Sequence, residues 1–314
     1  MADLKFQRDV FIDEVRVAAK RDRDIVFISA DFGAPALDAF RSEQASQFLH
    51  AGISEQNMID LAAGLALAGK KVYVYAMAPF ITLRCIEQIK CSLAIMNLPV
   101  TVLAVGVGLS YADSGPTHYT TEDLACMRSL AGAEVLTAAD SETARAIARL
   151  TIDKPAFRIV RLDRNALPTV YSTNAPESLA RGFHVFGGET GTAIATCGFM
   201  LHRALRVRQA LAKEGVDVAV IDVTRIKPLP GPLAAVLSRY SSIITVEEQC
   251  LAGGFGSAMI ELLNDAGLPR AVRRLGLPEK YVFENGGRNH LLDMLGLSDA
   301  AIADAVSRPA AKTG

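Results

Sequence analysis

The stretch His50-Ala-Gly-Ile-Ser-Glu-Gln-Asn-Met58 decides the fold, because it turns from a short apolar strand, 48–51, through Gly52 onto a glutamate that opens an apolar helix running on through 61–68. A carboxylate at a strand-to-helix junction lies at the carboxyl edge of a sheet, which is where open α/β folds bind their ligands. Taken alone, Glu55 is better explained as a surface acid beside a helix N-terminus. Its neighbours decide between the two.

Working outward, the chain alternates. A helix over 6–20 precedes a strand over 24–29, and strands follow at 71–75, 100–105, 134–137 and 156–160. Helices are expected over 80–95, 122–130 and 141–150, with a long polar loop from 106 to 120. Such alternation predicts a parallel sheet with helices on both faces. Residues 163–181 break the pattern with Pro168, Pro176 and the run Ser172-Thr173-Asn174, which reads as an interdomain linker. A second α/β unit then follows, with strands at 192–196, 216–222 and 243–247 and a helix at 201–213. Gly253-Gly254-Phe255-Gly256 opens a last helix, to 263, and 308–314 reads as a frayed tail. The expected class is therefore α/β, two consecutive open, mostly parallel sheets with helices on both faces. The expected division is a first domain over 1–165, a linker over 166–182 and a second domain over 183–314.

Composition narrows the function. The 314 residues are half apolar, enough for two cores, and 33 basic residues nearly balance 34 acidic ones. No basic field exists to attract nucleic acid or anionic lipid. The apolar run near 98–109 is too short to span a bilayer, and the charged start does not read as a signal peptide. The five cysteines are scattered, without CxxC spacing, as expected of reduced thiols in a cytoplasmic protein with no metal site of its own.

Four loops should meet at the carboxyl edge of the first sheet. They carry Asp31, then Glu55, then 77–80 with Met77 and Phe80, then 110–118 with Ser114 and His118. An acid, an aromatic and a histidine converging from separate loops are the pattern expected of a site, although singly His118 reads better as a solvated turn residue, Phe80 as core and Asp31 as a turn cap. Arg158, Arg161 and Arg164 alternate along and beyond a strand, so solvation is the simplest expectation for each; an anion site is the functional alternative. Gly253-Gly254-x-Gly256 could cradle a phosphate at a helix N-terminus, but close helix-on-strand packing explains it better, since the full dinucleotide spacing and a P-loop lysine are both missing.

Gly-Ile-Ser-Glu-Gln-Asn (52–57), Ala-Ala-Gly-Leu-Ala (62–66), Phe80 with Arg84 and Glu87-Gln88, Gly-Pro-Thr-His (115–118), Arg-Leu-Asp-Arg (161–164) and Thr-Val-Glu-Glu (245–248) with Gly-Gly-Phe-Gly (253–256) together resemble the C-terminal half of transketolase, its pyrimidine-binding and C-terminal domains, from about Arg8 to Leu297. The resemblance implies thiamine diphosphate as cofactor and transfer of a two-carbon ketol unit from a ketose, as its phosphate or free, to an aldose or related aldehyde. Glu55 then corresponds to the glutamate that hydrogen-bonds N1′ of the aminopyrimidine, where a protonated N1′ assists ionisation of the thiazolium carbon. A glutamate held out of water is expected to keep its proton near neutrality. Phe80 corresponds to the stacking aromatic, with Ile53 and Met77 lining the same pocket and Asp31 near the cofactor. His118 corresponds to a substrate-facing histidine, catalytic in handling hydroxyl protons. Arg84, Arg161, Arg164 and Arg8 stand where related enzymes place arginines for substrate or its phosphate.

Two positions depart from the family pattern. Ser114 replaces an aspartate that touches the donor's hydroxyl, and Pro35 stands where a phosphate-binding serine is often found; both argue against a standard ketose phosphate donor. The Gly-Asp-Gly motif of the family's other half, which binds Mg²⁺ and the diphosphate, does not occur in the sequence. The resemblance therefore implies an N-terminal partner subunit supplying that domain, in an α2β2 assembly. The alternatives are a subunit of a 2-oxo acid decarboxylating thiamine enzyme, akin to deoxyxylulose-phosphate synthase or a dehydrogenase β chain, and a non-catalytic assembly subunit.

Overall fold

The computed structural model describes residues 4–172 and 175–308. Strand–helix alternation becomes two stacked units, each built on an open sheet. The strands, in chain order, are β1 (Lys5–Phe6), β2 (Ile25–Ala30), β3 (Phe48–Gly52), β4 (Lys71–Met77), β5 (Val100–Val105), β6 (Glu134–Thr137), β7 (Arg158–Leu162), β8 (Ala166–Leu167), β9 (Phe183–Phe186), β10 (Thr192–Thr196), β11 (Val218–Val223), β12 (Arg225–Lys227), β13 (Ser242–Cys250) and β14 (Val272–Leu277). The first sheet has seven strands in the order β12-β6-β7-β5-β4-β2-β3, parallel except for β12. The second has five, β14-β13-β10-β11-β9, parallel except for β9. Strands β2 and β5 are buried along their whole length, because helices cover both faces of the sheet, as apolar parallel strands require. The class is the α/β arrangement that the alternation predicts.

Three details depart from the sequence reading. First, β12 comes from beyond the expected domain boundary and pairs antiparallel with β6, so the first sheet takes an edge strand from the second half of the chain. Nothing local marks such a long-range exchange. Second, the expected linker is structured where it is described. β8 pairs with β1, and a helix runs Ala175–Arg181. Between them Asp140 accepts the backbone N–H groups of Val170 (2.7 Å) and Tyr171 (2.8 Å). The Tyr171 ring is fully buried and its hydroxyl donates to Asp222 at 2.6 Å. Thr173 and Asn174 lie outside the described residues, as does the expected tail beyond Arg308.

Third, the helix expected over 80–95 is broken into Ala78–Ile81, Ile86–Gln88 and a π-helical turn, Ile89–Ala94. Side chains take carbonyls of the first piece and of the break that follows it. Cys85 donates its thiol to Phe80 O, Gln56 donates to Arg84 O at 3.1 Å, and Thr82 donates its hydroxyl to Ala78 O. The Arg84 N–H reaches five residues back, to Pro79 O. This irregular turn lies beside Glu55, and irregular helical turns of this kind gather at functional sites.

The cysteines are free: Cys85 and Cys197 buried, Cys126 and Cys250 half-buried, Cys91 exposed. Among the described residues no helix is long and apolar enough to cross a membrane.

Candidate functional site

At the end of β3, Gly52 adopts φ +69°, a conformation that costs glycine little and other residues more. The chain can therefore turn sharply into the helix Glu55–Leu67. Ser54 donates its hydroxyl to Ala51 O at 2.6 Å and closes the turn. Glu55 is the first helical residue, and its side chain is only 6% exposed. Its carboxylate accepts from Arg84 at 2.7 Å, and the Arg84 guanidinium also lies over the Phe80 ring, 4.2 Å from its centroid. One planar cation thus spans a buried carboxylate and an aromatic face.

From Phe80 the contacts continue across the sheet edge. The His118 ring meets Phe80 edge-on at 5.4 Å and Tyr111 at 6.4 Å. Arg164 lies over Tyr111 at 4.4 Å and pairs with Asp113 at 3.1 Å. Phe32 approaches Tyr111 at 6.4 Å and stacks on Tyr75 at 5.3 Å, and Arg8 sits over Phe32 at 5.7 Å. The fold therefore brings Glu55, Arg84, Phe80, His118, Arg164 and Arg8 into one row. Nδ1 of His118 is engaged by the Thr117 hydroxyl at 2.9 Å, and no hydrogen bond holds Nε2 among the described residues.

At the far end of the row, Nε of Arg8 and the hydroxyls of Tyr75 and Tyr111 are buried without a hydrogen bond of good geometry. Burial pushes the Tyr111 phenol up to about 12, so it stays a donor across the working range of an enzyme. Buried polar groups left without partners call for a ligand or water. Tyr75, Tyr111 and Phe32 are not singled out by the sequence. A signal exists for Tyr111: Gly106 precedes it, and a Cβ at that glycine would lie 1.9 Å from the tyrosine ring.

Other expected site residues are placed differently. Ile53 points outward, 78% exposed. Asp31 is exposed and stands 3.8 Å from His50 across the ends of β2 and β3. Met77 is half-buried at the end of β4, while Ser114 and Pro35 are exposed. Arg161 departs most from expectation. It is neither solvated nor in the row but buried, its guanidinium closed on Asp123 through contacts of 2.7 and 3.2 Å. Arg158 is likewise buried, paired with Glu134. The reason is position: β7 lies between β5 and β6 inside the sheet, and every one of its residues is buried, so neither face of it meets water. Only Arg164, beyond the strand, keeps a partly exposed head.

The second sheet's carboxyl edge is occupied by the protein itself. The Glu247 carboxylate accepts the N–H groups of Phe255 and Gly256, the latter at 2.8 Å, at the N-terminus of the helix Phe255–Asp265. Burial pushes Glu247 up to about 7 against these two hydrogen bonds. A Cβ at Gly254 would lie 2.3 Å from Glu247, and one at Gly256 would lie 2.6 Å from Thr245. The glycines are required for close packing around an internal anion, and no phosphate cradle is open there.

Among the described residues no group of three or more His, Cys, Asp or Glu could hold a metal ion.

Known proteins resemble the chain along nearly its whole length. Residues 7–170 match the transketolase pyrimidine-binding domain and residues 188–302 the transketolase C-terminal domain. The chain is similar to one of the subunits of apulose-4-phosphate transketolase from Phocaeicola vulgatus, 31% identical over 297 residues and 94% of both chains. It is also 31% identical to 1-deoxy-D-xylulose-5-phosphate synthase of Gloeobacter violaceus, of which it spans only 47%. Among solved structures, a split-gene transketolase described as an inactive β4 tetramer superposes with a TM-score of 0.86 at 28% identity, over 97% of this chain and 98% of that one.

Proposed function

The chain belongs to the transketolase family, and from that premise we propose that it is the half of a split, thiamine-diphosphate-dependent transketolase that carries the pyrimidine-binding and C-terminal domains. In this reading it transfers a two-carbon ketol unit from a ketose or ketose phosphate to an aldehyde. The observation that carries it is the Arg84 guanidinium lodged between Glu55 and Phe80. A flat N–C–N group that stacks on the ring and donates to the buried carboxylate already fits there, and an aminopyrimidine offers the same shape and polarity.

Thiamine diphosphate, when bound, supplies the carbon nucleophile that accepts and hands on the two-carbon unit. This chain supplies the rest. Glu55 holds a proton at the pyrimidine N1′ once Arg84 has yielded its place. Phe80 fixes the ring plane. His118 presents Nε2 to the substrate hydroxyls, beside Tyr111. Arg8 and Arg164, with the Tyr75 and Tyr111 hydroxyls, form a cationic, donor-rich end that suits an anionic or hydroxyl-rich substrate terminus. Exposed Ser114 and Pro35 take less part in holding a donor than an aspartate and a serine would. Mg²⁺ and the diphosphate fall to an N-terminal partner subunit in an α2β2 complex, with the site at the interface.

The test is reconstitution. The chain is mixed with a partner bearing the diphosphate-binding domain, thiamine diphosphate and Mg²⁺, and ketol transfer from ketose phosphates to aldehydes is followed. Transfer that disappears in Glu55→Ala, with the complex still assembled, supports the proposal. Release of CO2 from pyruvate in place of ketol transfer would move the chain to the decarboxylating enzymes.

A further inference from the structure

Strand β13 of the second sheet pinches both ends of loop 106–120, the loop that carries Tyr111, Ser114 and His118. The loop closes on itself through the bridge between Gly108 and Thr120, with N···O distances of 2.9 and 3.0 Å. Just inside that bridge, Leu109 N donates to the Glu248 carboxylate at 3.2 Å. Gln249 donates its side chain to Thr120 O at 3.1 Å, and Cys250 N donates to Thr121 O at 2.9 Å. Gly108 has φ +64°, and a Cβ there would lie 2.6 Å from Glu248 Cδ. Loop and carboxylate are therefore in direct contact.

Glu248 is held in turn by Arg288, which donates Nε to it at 2.9 Å and makes a second contact through its terminal nitrogen. The same guanidinium pairs with Asp163 at 2.7 Å and lies over the Phe199 ring at 3.7 Å. All three ionic side chains are at least nine-tenths buried. Asp163 immediately precedes Arg164, and its own backbone N–H donates to Gln7, the neighbour of Arg8, at 2.8 Å. One buried cation thus joins Glu248, the anchor of the His118 loop, to Asp163, whose segment carries Arg164 and is bonded in turn to the segment of Arg8. Glu55 and Phe80 belong to other segments. Removing one member of such a cluster leaves a buried charge uncompensated. The loop's own hydrogen bonds close its turns on themselves, so its placement against the second sheet falls to the contacts from β13.

We propose that Glu248 and Arg288, from the C-terminal domain, are positioning residues that set the substrate-facing loop 106–120 and the flanking Arg164 and Arg8. The C-terminal domain then does more than assemble the complex: it shapes the substrate side of the site and leaves the pyrimidine side alone. The catalytic consequence rests on the ketol-transfer reading; the structural one does not.

Two measurements on Glu248→Gln and Arg288→Lys test it. In the full chain, amide hydrogen exchange should quicken about tenfold or more over loop 106–120, equivalent to about 1.4 kcal/mol of lost local protection, with helix 55–67 unchanged. Unchanged loop protection in a folded Glu248→Gln chain overturns the proposal, whatever reaction the enzyme performs. In the reconstituted complex, KM for the sugar substrate should rise about tenfold while thiamine diphosphate affinity holds. Equal losses in both would overturn the separation of the two sides, and Arg288→Lys should fall between wild type and Arg288→Met. Should Arg288→Met fail to fold, the isosteric Glu248→Gln still decides the matter. A wild-type complex that turns over no sugar defeats the functional reading, while the exchange measurement still judges the positioning claim.

Discussion

The two sheets are built alike, but their carboxyl edges have opposite fates. At the first edge, polar groups are left available: Nε2 of His118, the buried phenols of Tyr75 and Tyr111, and an arginine, Arg84, whose head is 41% exposed. At the second edge the acids and glycines are used up, although Thr224 and Thr245 keep buried hydroxyls without a partner. Glu247 fills the helix N-terminus where a ligand anion could sit, Glu248 is locked by Arg288, and the glycines are packed shut. Open α/β sheets bind ligands at such edges, yet only one edge here is open. In Glu55–Arg84 the carboxylate is buried but the guanidinium is 41% exposed and can leave for water; in Arg288–Asp163 both heads are buried and neither can. The first edge is therefore the one left accessible to a ligand, and the second is a foundation.

That contrast can be broken by experiment. Its largest expected effect is at Glu55. In the reconstituted enzyme, Glu55→Ala should lower kcat on the order of 10²–10⁴-fold with little change in melting temperature; steady-state rates with a parallel thermal melt check both. A large loss of stability with a normal rate would make Glu55 structural and erase the difference between the edges.

At the second edge the expectation is inverted. Glu247→Ala orphans the buried N–H groups of Phe255 and Gly256, which should cost about 2–4 kcal/mol of stability, read by urea unfolding, while the KM of the protein that remains folded stays near normal. Tight binding of inorganic phosphate to that variant, with no loss of stability, would turn the second edge into a ligand site after all.

The pH dependence of stability sharpens the same point. Burial pushes Asp222 up to about 7, opposed by its hydrogen bond from Tyr171, and pushes Glu247 up to about 7. Unfolded, these acids release their protons near pH 4. From there to about pH 7 the folded protein holds more protons than the unfolded chain, so stability falls as pH rises through that window. Melting temperatures between pH 4.5 and pH 8 should show the decline, and Asp222→Asn should flatten it. A wild-type profile that rises over that range would refute the assignment.

The smallest effect is expected at Arg84. Arg84→Ala removes the internal occupant of Glu55 and Phe80, so thiamine diphosphate should bind the complex a few-fold more tightly, while the free chain loses about 1–2 kcal/mol of stability because the buried Glu55 carboxylate is left without its partner. Calorimetric titration decides. A raised sugar KM with unchanged cofactor affinity would instead place Arg84 on the substrate, as the family resemblance alone suggests.

Sequence is most legible where the signal is local. Strand β3, Gly52 and Glu55 can be placed from residues 48–58 because a turn onto a helix is written in contiguous residues. Phe80 and His118 can be named because their motifs are short. Sequence misleads where distant residues decide. Arg161 reads as a phosphate arginine, but Asp123 closes on it from thirty-eight positions away. The helix expected over 80–95 breaks where Gln56 takes the Arg84 carbonyl. The row of aromatics joining Phe80 to Arg8 runs through Tyr111 and Phe32, which share no motif.

By itself, the sequence determined the alternation of strands and helices, the family, and the acid at the first sheet's edge, because periodicity and short motifs depend on neighbours along the chain. Only the tertiary structure decided which arginines remain available and which are consumed, and which of two similar edges stays open. Those outcomes depend on burial and on the nearest opposite charge in space, and the partner that neutralises a buried cation here comes from a different strand, helix or domain.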